Sequence, residues 1–165
     1  MPATDQGSRD AGFRLDTFLP YKLVVVTDCI SDVFAGHYEQ RFKLTISEWR
    51  VLATVAAHGT LSPSAVGRFA AMDKVKVSRA AQSLVAKGMM RQSRDPRDGR
   101  GRLLKLTRKG TTAHEGMVPL AIQLEAEVFG GLTRADLTAL TRILGKVSTH
   151  LEMNGAGGGA GGGAV

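Results

Sequence analysis

Between Ser62 and Leu106 the sequence sets two short capped helices in succession and closes them with a basic hairpin, an order that few folds accommodate. Leu61-Ser62-Pro63 opens the first helix. A serine at the N-cap accepts from a free backbone N–H, proline suits the first helical position, and Leu61 can staple against Val66. This helix is expected to end near Ala71. Asp73 caps the next, with Met72 and Val77 as a second staple. Val77, Ala80, Ala81, Leu84 and Val85 form its apolar stripe, and Gly88 suits the left-handed position just past its end. The period then drops to two: Met90, Gln92 and Arg94 alternate with Arg91 and Ser93. Pro96-Arg97-Asp98-Gly99-Arg100-Gly101 makes a turn, and Arg102 to Leu106 is extended again.

The flanks are helical. Residues 1–16 read as a flexible N-terminal arm. From Pro20 to about Phe42, Leu23, Val26, Ile30, Val33, Phe34, His37 and Tyr38 recur at helical spacing. Thr45-Ile46-Ser47-Glu48 is a capping box, opening a helix with Trp49, Leu52, Val55 and Ala56 inward that stops before Gly59. Thr107 caps a helix to about Phe129, in which Pro119 predicts a kink. Thr133 and Asp136 open a last helix whose Leu137, Leu140, Ile143, Leu144, Val147 and Leu151 share one face. That face is more apolar than a lone terminal helix usually covers, which predicts a homodimer. Residues 154–165, nearly all Gly and Ala, read as a disordered tail. The expected fold is mainly α with a small β-hairpin wing: a winged helix-turn-helix over 45–106, flanked by a first dimerisation and pocket helix (17–44) and C-terminal dimerisation helices (107–153).

Charge follows the same boundaries. From Arg68 to Lys109 thirteen Lys or Arg face three Asp, a balance of +10, whereas the remainder balances at −3 within a net +7. Such a block is either a solvated basic face or a surface for a polyanion. The helix after Asp73 favours the polyanion, because its polar face carries Lys74, Val75, Lys76, Ser78, Arg79, Gln82 and Ser83. Arginine can grip guanine bidentately, glutamine can pair with adenine, and valine can meet a thymine methyl. Lys74 and Lys76, near the positive helix end, suit phosphates. Ser62 and Ser64 of the preceding helix complete this expected DNA-contacting set. In the wing, Arg97 and Arg100 suit a narrow minor groove. Asp98 either holds Arg100 extended or simply shapes the turn with Gly99.

Other classes lose ground. No apolar run is long enough to span a membrane, and no signal-type N-terminus precedes the arm, so a cytoplasmic protein is expected. His37, His58, His114 and His150 are scattered without metal-ligand spacing, and no phosphate loop, nucleophile elbow or carboxylate pair suggests catalysis or a cofactor. The single cysteine, Cys29, reads as a buried inert thiol.

From about Phe18 to Leu151 the chain resembles the MarR (multiple antibiotic resistance regulator) family of winged-helix repressors. The resemblance rests on Leu44-Thr45 with Trp49 and Leu52, on Asp73-Lys74 through Val77-Ser78-Arg79, and on Leu84 and Gly88. Arg91, Asp95, Asp98-Gly99-Arg100 and Leu106-Thr107 with Gly110 extend it. It implies an obligate homodimer with interlaced terminal helices on a pseudo-palindromic double-stranded operator. Val75 and Lys76 depart from the family's frequent small hydroxyl residues, which bears on the operator sequence. Cys29 does not match the placement of the family's peroxide-sensing cysteine. Phe18-Leu19-Pro20-Tyr21-Lys22 with Glu48-Trp49-Arg50 is similar to a branch responding to aromatic acids or their coenzyme A thioesters.

Arg50 beside Trp49 suits a planar aromatic carboxylate, with Ser31 and His37 as further expected ligand contacts; the alternative is that Arg50 pairs with Glu48 or Asp32. The expected function is a sequence-specific DNA-binding repressor released by a small aromatic effector. The competing one is a ligand-independent architectural DNA-binding protein.

Overall fold

The computed structural model describes residues 13–96 and 101–154. The expected wing-tip contacts Arg97, Asp98 and Arg100, most of the arm and all of the tail but Asn154 lie outside the described residues. A single 3-10 turn, Leu15–Thr17, leads into α1 (Leu19–Phe42), α2 (Ile46–His58), α3 (Pro63–Ala70) and α4 (Lys74–Ala86). The hairpin β1 (Met90–Arg94) and β2 (Arg102–Leu106) follows, then α5 (Arg108–Phe129) and α6 (Arg134–Met153).

Caps fix these boundaries. Thr45 and Glu48 satisfy each other's backbone N–H at the start of α2, at 3.2 and 2.7 Å. Ser62 accepts from Ala65, Asp73 from Lys76, Thr107 from Gly110 and Thr133 from Asp136, at 2.8–3.2 Å. Each such cap contributes about 1 kcal/mol. Gly88 takes the left-handed conformation expected past α4, and so does Ala71 between α3 and α4 (φ 49°), an uncommon choice for a residue with a Cβ. α5 runs through Pro119 as one helix.

The strands pair antiparallel, with Met90 opposite Leu106, Gln92 opposite Leu104 and Arg94 opposite Arg102. Leu61 adds a one-residue bridge to β2 that sequence reading missed: its N–H donates to the Leu104 carbonyl at 3.1 Å, and Leu104 N–H donates back at 2.7 Å. One bridging residue between two helices has no periodicity to betray it.

α2 is the hub of packing, touching α1, α3, α4, α5 and β2. Val51, Leu52 and Val55 of α2 meet Val66, Val77, Leu84, Leu104 and Leu124 in the core. Three expectations need correction. Along α1 only Tyr38 is buried, while Leu23, Val26 and Val33 stay about half exposed. His37 and Cys29 are exposed as well, so the thiol is not a core residue. Val85 lies at the edge of the α4 stripe and is exposed. Periodicity identifies an apolar face but not whether the same protomer covers it. α6 makes the point most strongly, since none of its residues is buried.

Candidate nucleic-acid interface

α4 divides cleanly. Val77, Ala80, Ala81 and Leu84 are buried, whereas Lys74, Val75, Lys76, Ser78, Arg79 and Gln82 are exposed and form one continuous outer surface. Gln82 Nε2 reaches Ser78 Oγ at 3.4 Å, one turn away. The Lys76 ammonium lies 3.5 Å from Asp73, and the Asp73 carboxyl is held below its ordinary range, chiefly by the N–H that Lys76 donates to it. Ser64 is exposed beside the half-buried Ser62, their hydroxyls 3.0 Å apart. At the wing, Asp95 N–H closes on the Gly101 carbonyl at 2.9 Å and Arg102 donates to Gln92 at 3.0 Å. The expected α4 and α3 contacts are therefore open to solvent, Ser62 only in part.

Two polar anchors hold this unit from behind, and neither was legible beforehand. Glu48, 4% exposed, receives Lys87 Nζ on both carboxylate oxygens at 2.7 and 2.8 Å. Lys87 caps the C-terminus of α4 and donates also to the Lys43 carbonyl, while Lys109 Nζ donates to the Lys87 carbonyl, each at 2.7 Å. Burial alone would raise the Glu48 carboxyl, but hydrogen bonds from Lys87, Ser83 and the Thr45 N–H, with the Lys87 charge, outweigh it and hold the group below its usual range. The second anchor is Arg50, whose guanidinium donates to the Ala70 carbonyl at 2.5 Å, at the end of α3. The structural acids expected for Arg50 are therefore not its partners: among the described residues it pairs with neither Glu48 nor Asp32.

The four expected ligand residues do not converge in one protomer. Trp49 is half-buried and stacks on Tyr38, ring centres 5.1 Å apart and planes 22° from parallel, with Phe34 at 6.2 Å. Arg50 turns instead toward α3, Ser31 is half-buried, and His37 is exposed. The Tyr38 hydroxyl is buried with no hydrogen-bond partner among the described residues, and burial pushes its pKa up to about 12. A groove of about 490 Å³ opens elsewhere, between the end of α2, β2 and the start of α5; it is lined by Val55, Thr60, Lys105, Leu106 and His114, among others, and by none of the four. Among the described residues no helix is long and apolar enough to cross a membrane, and no group of three His, Cys, Asp or Glu could hold a metal ion.

Comparison with known proteins places this geometry. The MarR family model matches residues 42–101, from the last residue of α1 through the helix-turn-helix into the wing loop. The fold is similar to that of Bordetella bronchiseptica BpsR, at TM-score 0.71 and 30% identity, covering 79% of this chain and 98% of that one. The chain belongs to the MarR family. A MarR family transcriptional regulator from Silicibacter pomeroyi is similar as well, with TM-score 0.72 and 27% identity over 90% of this chain and 99% of that one. Among curated proteins, the HTH-type transcriptional repressor IacR of Pseudomonas putida is 27% identical over 158 residues, covering 92% of this chain and 86% of that one. Within this MarR-family regulator the matched segment holds both anchors and the exposed face of α4.

Proposed function

We propose that this MarR-family protein is a homodimeric repressor that reads duplex DNA with α4 and lets go when a small aromatic acid, or a thioester of one, binds near Trp49 and Arg50. The observation that carries the reading is the outer face of α4: six residues, Lys74, Val75, Lys76, Ser78, Arg79 and Gln82, are exposed together on a helix whose other side is locked in the core. Arg79 and Gln82 read bases, Val75 meets a thymine methyl, and Lys74, Lys76, Ser62 and Ser64 hold phosphates. Arg97 and Arg100 enter the minor groove. In a cytoplasmic setting the segment 45–106 contacts DNA, while 17–44 and 107–153 pair the protomers.

Dimerisation is supported by the uncovered apolar residues of α1 and α6, including Leu23, Val26, Ile143, Leu144, Val147 and Leu151, each 44–54% exposed. A two-fold dimer sets its recognition helices about 10 base pairs apart, in successive major grooves. An aromatic effector is supported by BpsR, whose DNA binding is regulated by 6-hydroxynicotinic acid. In the proposed site Ser31 and His37 belong to α1, and an effector carboxylate has to draw Arg50 away from the Ala70 carbonyl.

The test is selection of a duplex from a random pool, followed by anisotropy titrations across salt and with benzoate, cinnamate and their coenzyme A thioesters. The logarithm of affinity should fall with the logarithm of salt by about 0.9 per phosphate neutralised. A flat salt response refutes the DNA interface. Failure of all four compounds to release DNA refutes the effector class alone.

A further inference from the structure

Residues 48, 49 and 50 succeed one another on α2, so their side chains leave the helix about 100° apart. Each finds a different element. Glu48 reaches the C-terminal cap of α4 through Lys87, Trp49 stacks on Tyr38 of α1, and Arg50 holds the last carbonyl region of α3 at Ala70. The recognition helix is thus fixed at its far end by one residue of this triplet. The turn that feeds its near end is fixed by another.

We infer that the Glu48–Lys87 pair is a positioning device for DNA reading: it sets the angle of α4 on the body of the protein and so the discrimination among base sequences. The inference rests on the proposed role of α4 as the recognition helix. Three observations favour positioning over simple stabilisation. The carboxylate is almost wholly buried, and a buried ion pair of this kind contributes little net stability compared with apolar side chains of similar volume. What it supplies is geometry, because Lys87 Nζ is held by two carboxylate oxygens and the Lys43 carbonyl together. Finally, Lys87 lies in the basic block yet directs its charge inward, where it cannot serve phosphates. The same triplet carries Trp49, so a ligand that shifts Trp49 against Tyr38 moves the backbone from which both anchors spring.

Glu48→Gln separates positioning from electrostatics because the two give opposite signs. The variant removes one negative charge behind a basic surface, so electrostatics alone predicts equal or tighter DNA binding. Positioning predicts about ten-fold weaker binding to the selected duplex, the worth of roughly one misplaced base contact, with affinity for a random duplex retained. The double variant Glu48→Gln/Lys87→Met leaves net charge unchanged and no unpaired buried charge, so it carries the test if the single variant does not fold. It should lose the same discrimination, and Lys87→Arg should restore most of it beside an intact Glu48. Wild-type protein that prefers no sequence overturns the recognition role of α4. Wild-type protein that discriminates, with a folded Glu48→Gln or double variant that discriminates equally, overturns the positioning inference alone.

Discussion

Gly110 is the position where a single methyl group should do most damage. It sits in the first turn of α5, buried against the backbone that leaves α4, and a Cβ built there falls 1.9 Å from the Met89 carbonyl oxygen and 2.9 Å from its carbon. An ordinary contact begins near 3.4 Å, so Gly110→Ala must push the two backbones apart by about 1.5 Å. That displacement strains the bonds docking α5 there: Thr107 N–H to the Met89 carbonyl at 3.1 Å, Thr107 Oγ1 to the Gly88 carbonyl at 2.7 Å, and Lys109 Nζ to the Lys87 carbonyl at 2.7 Å. At about 1 kcal/mol each their loss costs roughly 3 kcal/mol. Alanine's helical advantage over glycine returns at most about 1 kcal/mol. The net is about 2–3 kcal/mol, or roughly 5–10 °C in Tm for a chain of this size. Gly116→Ala, in the same helix, is the control. Its Cβ meets only Phe42 Cε1 at 3.7 Å, an ordinary contact, so propensity should raise stability by about 0.5–1 kcal/mol. Thermal unfolding followed by circular dichroism at one fixed protein concentration compares the two. Shifts of the same sign, or a Gly110→Ala protein melting with the wild type, refute the reasoning.

Further outcomes follow from the same geometry. Arg79→Ala should bind the selected duplex with about 1–3 kcal/mol less discrimination at one base position, read by competition with single-base variants; undiminished discrimination removes Arg79 from base reading. Leu144→Glu, on the uncovered face of α6, should shift sedimentation at micromolar concentration from dimer to monomer, and a wild-type monomer under those conditions ends the dimer argument. Because Glu48 is depressed in the folded state, its stabilisation is complete above the ordinary value of 4.5 and drains as pH falls through the lower folded value. Glu48→Gln should therefore flatten the loss of stability below about pH 4.5 in acid unfolding; an unchanged acid limb denies the pair that contribution.

Local chemistry was the legible part of this fold. Ser62, Asp73, Thr107 and the two capping boxes announce helix starts because each cap is satisfied within three residues. The exposed face of α4 was legible for a similar reason, since one buried stripe fixes what points outward. What escaped is non-local. Nothing near Glu48 tells that its partner stands 39 residues away, and nothing near Arg50 tells that a carbonyl at Ala70 takes its guanidinium. An arginine beside a tryptophan invites one pocket, yet neighbours on a helix diverge, and the structure sends Trp49 and Arg50 to different elements. The apolar run on α1 was legible as a face and illegible as a surface left open, because the covering partner is not encoded in periodicity.

The anchors also weigh against a purely architectural DNA binder. A protein that grips DNA without regard to sequence needs cations near phosphates, and such contacts tolerate errors of angle because the charge is diffuse along the duplex. Base reading tolerates few, since a bidentate hydrogen bond fails within a fraction of an ångström. This chain turns one of its thirteen block cations inward onto Glu48, commits Arg50 to a backbone carbonyl, and accepts a left-handed alanine at the α3–α4 turn. The Lys87 pairing lowers available surface charge and joins α4 to α2, and the left-handed alanine adds conformational cost. Arg50, itself exposed, ties α2 to the end of α3 just ahead of α4. A phosphate clamp gains nothing from that arrangement. A helix that must present Arg79 and Gln82 to particular bases does.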